Sequence, residues 1–176
     1  MCYYFVMKKI EYSNLKPKES EEFHKFFSMM VNKFFYPEYT KNTLKFFCES
    51  EKEFPVKNIR EFAKTGNILV AKDGFKYVGS LIFNEPDGGV TFCRWIAVDD
   101  KYQNNGIASK LIDIYEDAAK NKGAHCIMLC TEEENLDFYK KRGFQHMGVN
   151  PVGYYGVLDY WFYKQIQEPK EENYLR

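Results

Sequence analysis

The chain has 176 residues, enough for one domain with a hydrophobic core, and we predict a single domain over 1–176. Lysine and arginine together number 25, as do aspartate and glutamate, so the formal net charge is zero. Because the sequence has neither a basic excess nor a long block of like charge, it argues against nucleic acid and against a membrane surface as partners.

The first third of the sequence predicts one strand followed by three helices. The strand covers residues 7–12, and Ser20 is placed to cap the first helix. Residues 35–37, which include a proline, are expected to end that helix, and shorter helices are predicted over 42–48 and 56–64. The apolar positions of the first helix recur at helical steps: Phe23, Phe26, Phe27, Met30, Val31 and Phe34.

Strands dominate the middle of the chain. Three of them, over 67–71, 76–83 and 90–98, are separated by an Asp-Gly turn and a Pro-Asp-Gly-Gly turn, which predicts an antiparallel meander. A further strand over 124–131 follows a long helical pattern. It is predicted to run parallel to 90–98, because a helix crosses over between them.

The C-terminal region predicts a short helix that begins near Glu132 and stops at Gly143. Two last strands are predicted over 144–149 and 158–164. The tail, 167–176, is polar and expected to fray.

The stretch 94–121 joins a buried strand, a polar loop and an amphipathic helix, with Gly106 and Ala108 at the start of the helix. The first turn of a helix presents unpaired backbone N–H groups and a partly positive end, so it can bind a phosphate where nothing bulky stands in front. The pattern therefore predicts an anion site at Gly106. The alternative is an ordinary strand–helix connection that needs a small residue for packing.

Five cysteines have no zinc-type spacing, so no metal site is predicted. An odd count without the spacing of a disulfide framework favours a reducing, cytoplasmic location. No run of eighteen apolar residues occurs, so no membrane span is predicted.

Two motifs carry a resemblance to a known family. Gln103-x-x-Gly106-x-Ala108, directly after a strand, resembles the Q/R-x-x-G-x-G/A coenzyme A loop of the GCN5-related N-acetyltransferase (GNAT) superfamily. The segment 138–144, FYKKRGF, resembles the FY-x-x-x-GF segment of the same family, one strand downstream. The two matches lie inside a resembling region of about 78–164, and the core motifs of the domain occupy about 67–164.

The resemblance implies an α/β (α+β) GNAT fold, with a central mixed, mostly antiparallel twisted sheet of about seven strands and helices on both faces. In that family the strands ending at Val98 and Thr131 splay apart, and acetyl-CoA, the co-substrate, lies in the gap. The pantetheine arm bonds to the backbone of Ile96 and Val98, and the diphosphate lies on the loop amides. The predicted coenzyme-binding residues are Ile96, Ala97, Val98, Gln103, Asn104, Asn105, Gly106, Ile107, Ala108 and Ser109.

The same resemblance makes Tyr139 the general acid that protonates the departing thiolate; the alternative is a ring that only packs. Many family members carry a coenzyme-contacting Asn seven residues before this Tyr, where this chain has Glu132, so that role is carried over to Asn135. The carboxylate base of some members has no counterpart. The candidate bases are Glu132, Glu85 and Asp159, or a water chain.

The resemblance implies an enzyme that acetylates a primary amine of a small molecule or an amino-acid derivative by direct attack. Tyr154 and Tyr155 are predicted to bind the acceptor, since they are similar to a tyrosine pair of protein N-terminal acetyltransferases. The R-x-x-N-x-x-A segment of those enzymes is absent, so a protein N-terminus is the second choice. A non-catalytic coenzyme A sensor is the third. A homodimer is left open.

Overall fold

One open mixed sheet of seven strands organises the computed structural model, which describes residues 9–34 and 39–175. The strands are β1 (Glu11–Asn14), β2 (Ile68–Asp73), β3 (Lys76–Phe83), β4 (Val90–Val98), β5 (Cys126–Thr131), β6 (Gln145–Asn150) and β7 (Asp159–Gln165). Their order across the sheet is β1-β2-β3-β4-β5-β7-β6. Only β4 and β5 are parallel, and every other neighbouring pair in that order is antiparallel. The predicted mixed, mostly antiparallel sheet is confirmed.

Helices cover both faces of this sheet, as predicted. The α-helices of the described residues are α1 (Ser20–Phe34), α2 (Lys41–Glu49), α3 (Val56–Lys64), α4 (Ile107–Asn121), α5 (Leu136–Lys141) and α6 (Glu171–Tyr174). One apolar cluster joins α1, α2 and α3 to one face of the sheet. A second cluster joins α4 and α5 to the opposite face. The crossover of α4 between β4 and β5 is what makes that pair parallel.

The predicted apolar stripe of α1 is the side that packs. Phe23, Phe27 and Met30 are fully buried against the sheet and against α2 and α3. Each such side chain contributes about 1.5–3 kcal/mol by leaving water. The proposed cap is wrong: Ser20 is buried inside the first turn, and its hydroxyl donates to the carbonyl of Pro17 at 2.7 Å. A preceding 3₁₀ turn, Pro17–Glu19, begins the helical segment instead.

The predicted bounds of β3 and β4 are those observed, whereas β1 lies further along the chain than the predicted 7–12. Residues 7 and 8 of that predicted strand lie outside the described residues, as do residues 35–37, which were expected to end α1. The polar tail, which was expected to fray, contains a short helix at Glu171–Tyr174. Helix α6 docks on the strand ends, with the Tyr174 ring 5.6 Å from the His125 ring.

Strands β4 and β5 separate towards their carboxyl ends. They are paired over three positions only, Val90–Phe92 against Cys126–Met128. Beyond these positions β4 continues to Val98 on β3, and β5 continues to Thr131 on β7. The predicted splay of the sheet is therefore confirmed, and it opens a gap in the middle of an otherwise continuous sheet.

Among the residues that the structure describes, no helix is both long enough and apolar enough to cross a lipid bilayer.

Candidate active site

A cleft of about 820 Å³ opens where β4 and β5 separate. Five parts of the chain line it: the second half of β4, the loop that leads into α4, the end of β5 with the start of α5, the loop between β6 and β7, and the region of α1 to α3, which contributes Phe34, Tyr39, Phe47 and Glu53. Of the residues predicted to bind the coenzyme or the acceptor, or to act as the acid, all but Asn105 line this cleft. They are Ile96, Ala97, Val98, Gln103, Asn104, Gly106, Ile107, Ala108, Ser109, Asn135, Tyr139, Tyr154 and Tyr155.

The start of α4 is an open cradle of backbone N–H groups. Gly106 caps the helix with φ +75°, a left-handed conformation that favours glycine, and a Cβ built there would meet no protein atom within 4 Å. The first intrahelical bond runs from Lys110 N to Gly106 O, at 2.9 Å. The preceding amides, of residues 107–109, therefore have no acceptor within the helix and are directed out of its first turn.

The amide side chains of the preceding loop serve mainly the loop itself. Gln103 donates from Nε2 to the carbonyl of Val98 at 3.1 Å, which ties the loop to the end of β4. Asn105 donates to the carbonyls of Tyr102 and Gln103 at 3.3 and 3.0 Å. Asn104 lines the cleft and has φ +61°, a conformation that Asn tolerates better than most residues.

The loop between β4 and α4 is also held in place by side-chain contacts that were not predicted from the sequence. Asp99 accepts from Lys76 Nζ at 3.1 Å, and the Tyr102 hydroxyl donates to Asp73 at 2.9 Å. Both contacts reach the β2–β3 hairpin. On the other side, Lys33 of α1 lies 2.6 Å from the carboxylate of Asp100. The cradle is therefore held to two separate elements.

The register of β4 directs alternate backbone groups into the gap. Asp99 N donates to Val78 O, so these two residues form a hydrogen-bonded pair of the β3–β4 ladder. Because bonded and non-bonded pairs alternate along an antiparallel ladder, Ile96 and Val98 are in non-bonded pairs with β3. Their N–H and C=O groups point towards β5 and the gap. The N–H and C=O groups of Ala97 instead point towards β3 and belong to the β3–β4 hydrogen-bond ladder.

Tyr139 lines the cleft from α5, yet most of its ring is buried. Its ring centroid lies 5.1 Å from that of Phe138, 5.6 Å from that of Phe144 and 5.9 Å from that of Phe162. Burial raises the pKa of Tyr139 above its ordinary value, and a hydrogen bond with Thr131 offsets part of that rise. The phenol is therefore protonated at neutral pH. The residue is packed and also faces the cleft, so its role as an acid stays a prediction.

Two of the three candidate bases lie in the cleft. Glu132 and Asp159 line it, near the carboxyl end of β5 and the start of β7. Glu85 does not: it accepts from Lys122 at 2.8 Å, just beyond the C-terminal end of α4. A helix of 15 residues is about 22 Å long, so Glu85 is at the wrong end of α4 to reach the cradle.

The end of the cleft away from the cradle is aromatic and charged. We call it the aromatic end and define it by Tyr39, Glu53, Arg94, Tyr154, Tyr155 and Asp159. The Tyr39 hydroxyl donates to the carbonyl of Tyr154 at 3.0 Å, and the Tyr39 and Tyr155 rings meet edge to face at 5.4 Å. Tyr155 has φ +55°, a costly conformation for a large side chain, so its neighbours must hold it there.

One carboxylate joins the two walls of the aromatic end. Glu53, between α2 and α3, accepts from the Tyr155 hydroxyl at 2.6 Å and from the Arg94 guanidinium at 2.8 Å. Arg94 is the residue of β4 at which the β3–β4 register shifts, and its guanidinium lies 5.2 Å from the centre of the Phe54 ring. Sequence reading missed Glu53 and Tyr39 as site residues. The only sequence signal was an arginine within an otherwise apolar strand.

The opposite wall is built on a buried carboxylate. Asp159 accepts from the backbone N–H of Tyr154 at 2.8 Å. A Cβ at Gly153 would stand 2.0 Å from Asp159 Oδ2, so this close approach requires glycine.

Two thiols of the cleft, Cys93 and Cys130, have their pKa raised to about 12 by burial, and are therefore protonated and weak nucleophiles.

Comparisons with known proteins agree with this geometry. The sequence profile of the acetyltransferase (GNAT) family matches residues 29–144, more than half of the chain. N-alpha-acetyltransferase 30 of Schizosaccharomyces pombe (strain 972) is 34% identical over 83 residues, which are 43% of this chain and 55% of that protein. YdhI of Bacillus subtilis (strain 168) is 39% identical over 64 residues, which are 34% of this chain and 39% of that protein. The matches thus span about half or less of these two curated relatives.

A solved structure extends the likeness to nearly the whole chain. The PaiA N-acetyltransferase from Thermoplasma acidophilum, in complex with coenzyme A, superposes with a TM-score of 0.71 and covers 89% of this chain and 99% of its own. Only 17% of the residues are identical, so this comparison establishes the fold alone.

Proposed function

The chain belongs to the GNAT family of acetyltransferases, and we propose that it transfers the acetyl group of acetyl-CoA to a primary amine of a small molecule or an amino-acid derivative. The observation that carries the proposal is the position of the glycine-led cradle of α4 beside the gap between β4 and β5. A phosphate site and a slot for an extended arm thus open into one cleft.

The residues present suit the anionic, elongated donor. The cradle offers the amides of residues 107–109 and the open space over Gly106 to a diphosphate. The gap offers the N–H and C=O groups of Ile96 and the N–H of Val98, whose C=O already accepts from Gln103, to an arm that bonds like an added strand. Asn104, Ser109 and Asn135 supply polar side chains along the same path. Of the predicted backbone donors, Ala97 fits least, because its backbone bonds to β3.

The chemistry needs positioning and two proton transfers. The amine nitrogen forms a bond to the thioester carbonyl carbon, and the bond from that carbon to sulfur breaks. Glu132, Asp159 or a water held by them takes the proton of the incoming ammonium, so that the neutral amine attacks. Tyr139 gives its proton to the departing sulfur and recovers one from the nitrogen, which must lose a proton to become an amide.

Tyr139 can fill this role because a phenol, whose ordinary pKa of about 10 is raised further here by burial, carries its proton at neutral pH. A thiol has a reference pKa of about 8.5 and is thus a fair leaving group at neutral pH. A positioned acid is therefore expected to raise the rate most when the amine is a weak nucleophile.

Two other functions have support of their own. The relative from Schizosaccharomyces pombe bears the name of an N-alpha-acetyltransferase, which favours a peptide amine as the second candidate. A coenzyme A sensor without catalysis is the third, supported by the lack of a family-type base. The second candidate would use the protonated phenol at the gap in the same way, whereas the sensor does not account for it.

The test is the release of thiol from acetyl-CoA in the presence of a panel of amines: small monoamines, diamines, amino acids, amino-acid amides and short peptides. Mass spectrometry of the acceptor identifies the acetylated product. Turnover with small amines supports the first function, and turnover confined to peptides supports the second. If the protein binds the coenzyme but turns over no amine, the result supports the third function, a coenzyme A sensor.

A further inference from the structure

The charges that line the cleft are unequal in a way that bears on the acceptor. Among the cleft-lining residues that the structure describes, four are acidic, Glu53, Glu132, Glu134 and Asp159, and one is basic, Arg94. An ammonium group is attracted to such a site and a carboxylate is repelled from it. Among these described residues of the cleft, an acceptor that carries a carboxylate can form an ion pair only with the guanidinium of Arg94.

That guanidinium is already paired. Arg94 donates to Glu53 Oε2 at 2.8 Å, and the two side chains are 27% and 15% exposed, so the ion pair is largely withdrawn from water. Phe54 lies against the guanidinium at 5.2 Å. A carboxylate on an acceptor must therefore displace Glu53 to reach Arg94. A cation meets no such competition, since each carboxylate oxygen of Glu53 accepts one hydrogen bond in the structure and has lone pairs for another.

The aromatic rings around Glu53 add to this preference. The Tyr155 hydroxyl is bonded to Glu53, and the Tyr39 ring is 5.4 Å from the Tyr155 ring. Rings of this kind attract an alkylammonium group through their faces. At the other wall, the negative charge of Asp159 acts on Tyr39 and on Cys130 and raises the pKa of both, after the larger effect of burial. Negative charge thus lines both walls of the aromatic end.

We propose that Glu53 is a specificity-determining residue: by neutralising Arg94, it makes the aromatic end select amines that carry a second positive charge and reject amines that carry a carboxylate. This inference rests on the proposed acetyl transfer to a small amine. The substrate class that it names is an alkyl chain with an amine at one end and a second ammonium group at the other.

The test compares three acceptors of equal chain length, for chains of three to six carbons: the n-alkylamine, the α,ω-diamine and the ω-amino acid. The measurement is kcat/KM by thiol release, corrected for the two equivalent amines of the diamine. At one or more lengths we expect the diamine to exceed the alkylamine by about tenfold, corresponding to about 1.4 kcal/mol, and the amino acid to be the poorest. The diamine's advantage should shrink as salt is raised, because salt screens charges that water can reach.

Variants separate charge selection from simple support of the loop. Glu53→Gln keeps the shape of the side chain but releases Arg94, so the order should invert and the ω-amino acid should overtake the diamine. Tyr155→Phe removes the hydrogen bond to Glu53 and keeps the ion pair, so the order should stay as in the wild type. The double variant Glu53→Gln/Arg94→Gln removes both charges of the ion pair and leaves Asp159, so the diamine should again be preferred and the ω-amino acid should again be the poorest acceptor. Each variant is checked for folding by its thermal shift with acetyl-CoA.

The outcomes distinguish this inference from the function on which it rests. Turnover of alkylamines without an advantage for the diamine at any length overturns the inference and leaves acetyl transfer standing. So does a loss in Glu53→Gln that is equal for all three acceptors, because that is the result of loop support alone. A peptide that exceeds every small amine also overturns it. Absence of turnover with every amine removes the proposed function and the inference with it.

Discussion

Gly153 and Asp159 approach so closely that a Cβ on the glycine would stand 2.0 Å from Asp159 Oδ2. The contact closes the loop between β6 and β7, and the Tyr154 N–H donates to the same carboxylate oxygen at 2.8 Å. One buried carboxylate therefore sets the position of the two tyrosines that follow Gly153.

Gly153→Ala should push this loop away from Asp159. We expect a loss of about 1–3 kcal/mol in the free energy of unfolding, as for other overpacked sites, and a rise in KM for the amine with little change in acetyl-CoA affinity. Gly156→Asn is the matched control, because Gly156 has φ +81°, which Asn tolerates, and open space around its Cβ position. Urea unfolding and steady-state kinetics measure both. An unchanged KM in a destabilised Gly153→Ala protein would separate the loop from the acceptor.

Gly106→Val should remove acetyl-CoA binding. The branched side chain would occupy the open space over the cradle, where a diphosphate has to approach. A ligand at about 100 Kd stabilises the wild type by roughly 2.7 kcal/mol, and the variant should lose the corresponding rise in Tm. Gly74→Val, in the β2–β3 turn, is matched for backbone strain, with φ +60° and an open Cβ position. It should lose similar stability and retain the shift. If acetyl-CoA raises the Tm of both variants equally, the cradle does not bind the coenzyme and Gly106 has only a structural role.

Tyr139→Phe should lower kcat by roughly 10²–10⁴, the usual worth of a positioned general acid, with acetyl-CoA affinity nearly unchanged. Phenylalanine keeps the packing against Phe138 and Phe144 and removes the only proton that the side chain can give. Tyr115→Phe is the control: it removes a buried hydroxyl that bonds to Thr91 at 3.2 Å, away from the cleft. That variant should lose about 0.5–1.5 kcal/mol of stability and no activity. A Tyr139→Phe enzyme with wild-type kcat for every amine would leave the ring as packing only.

Stability should fall in alkali because of the same two tyrosines. Burial raises the pKa of Tyr115 and Tyr139, so the folded protein keeps two protons that the unfolded chain releases near its ordinary value of about 10. This contribution is fully present below about pH 10 and is lost as pH rises towards the folded pKa values. Each tyrosine adds up to about 1.4 kcal/mol per pH unit to the decline. Urea unfolding between about pH 9 and pH 11 should show a shallower decline in either phenylalanine variant, and an unchanged slope in both would contradict the assignment.

The parts of the site that the sequence predicts are the local ones. Gly106 and Ala108 follow a strand and open a helix within a few residues, and this short pattern, together with the family resemblance, predicts the cradle. Tyr139 likewise belongs to one short segment that also holds Gly143 and Phe144. The helices and strands were predicted from the same kind of local pattern. The apolar stripe of α1 and the turn before β3 are each formed by residues close together in the sequence.

The parts that the sequence does not predict depend on distant pairs. Glu53 meets Arg94 across 41 residues and Tyr155 across 102, and nothing near Glu53 in the chain marks it as a site residue. The wrong cap at Ser20 has a different cause: serine suits the start of a helix, but Pro17 and Glu19 begin the helical segment one turn earlier. Docking of α6 likewise depends on Tyr174 meeting His125, a contact between chain segments far apart in sequence.

The three paired positions between β4 and β5 also make the sheet two cooperative blocks. Strands β1 to β4 form one hydrogen-bonded block and β5 to β7 the other, joined by this short ladder and by the side chains of α4. Local opening in proteins follows such weakly joined units, so amide hydrogens at the two edges of the gap should exchange before those inside either block. A molecule that bonds along β4 and fills the gap supplies the missing connections. Its binding would slow exchange on both sides at once and make the two blocks unfold as one.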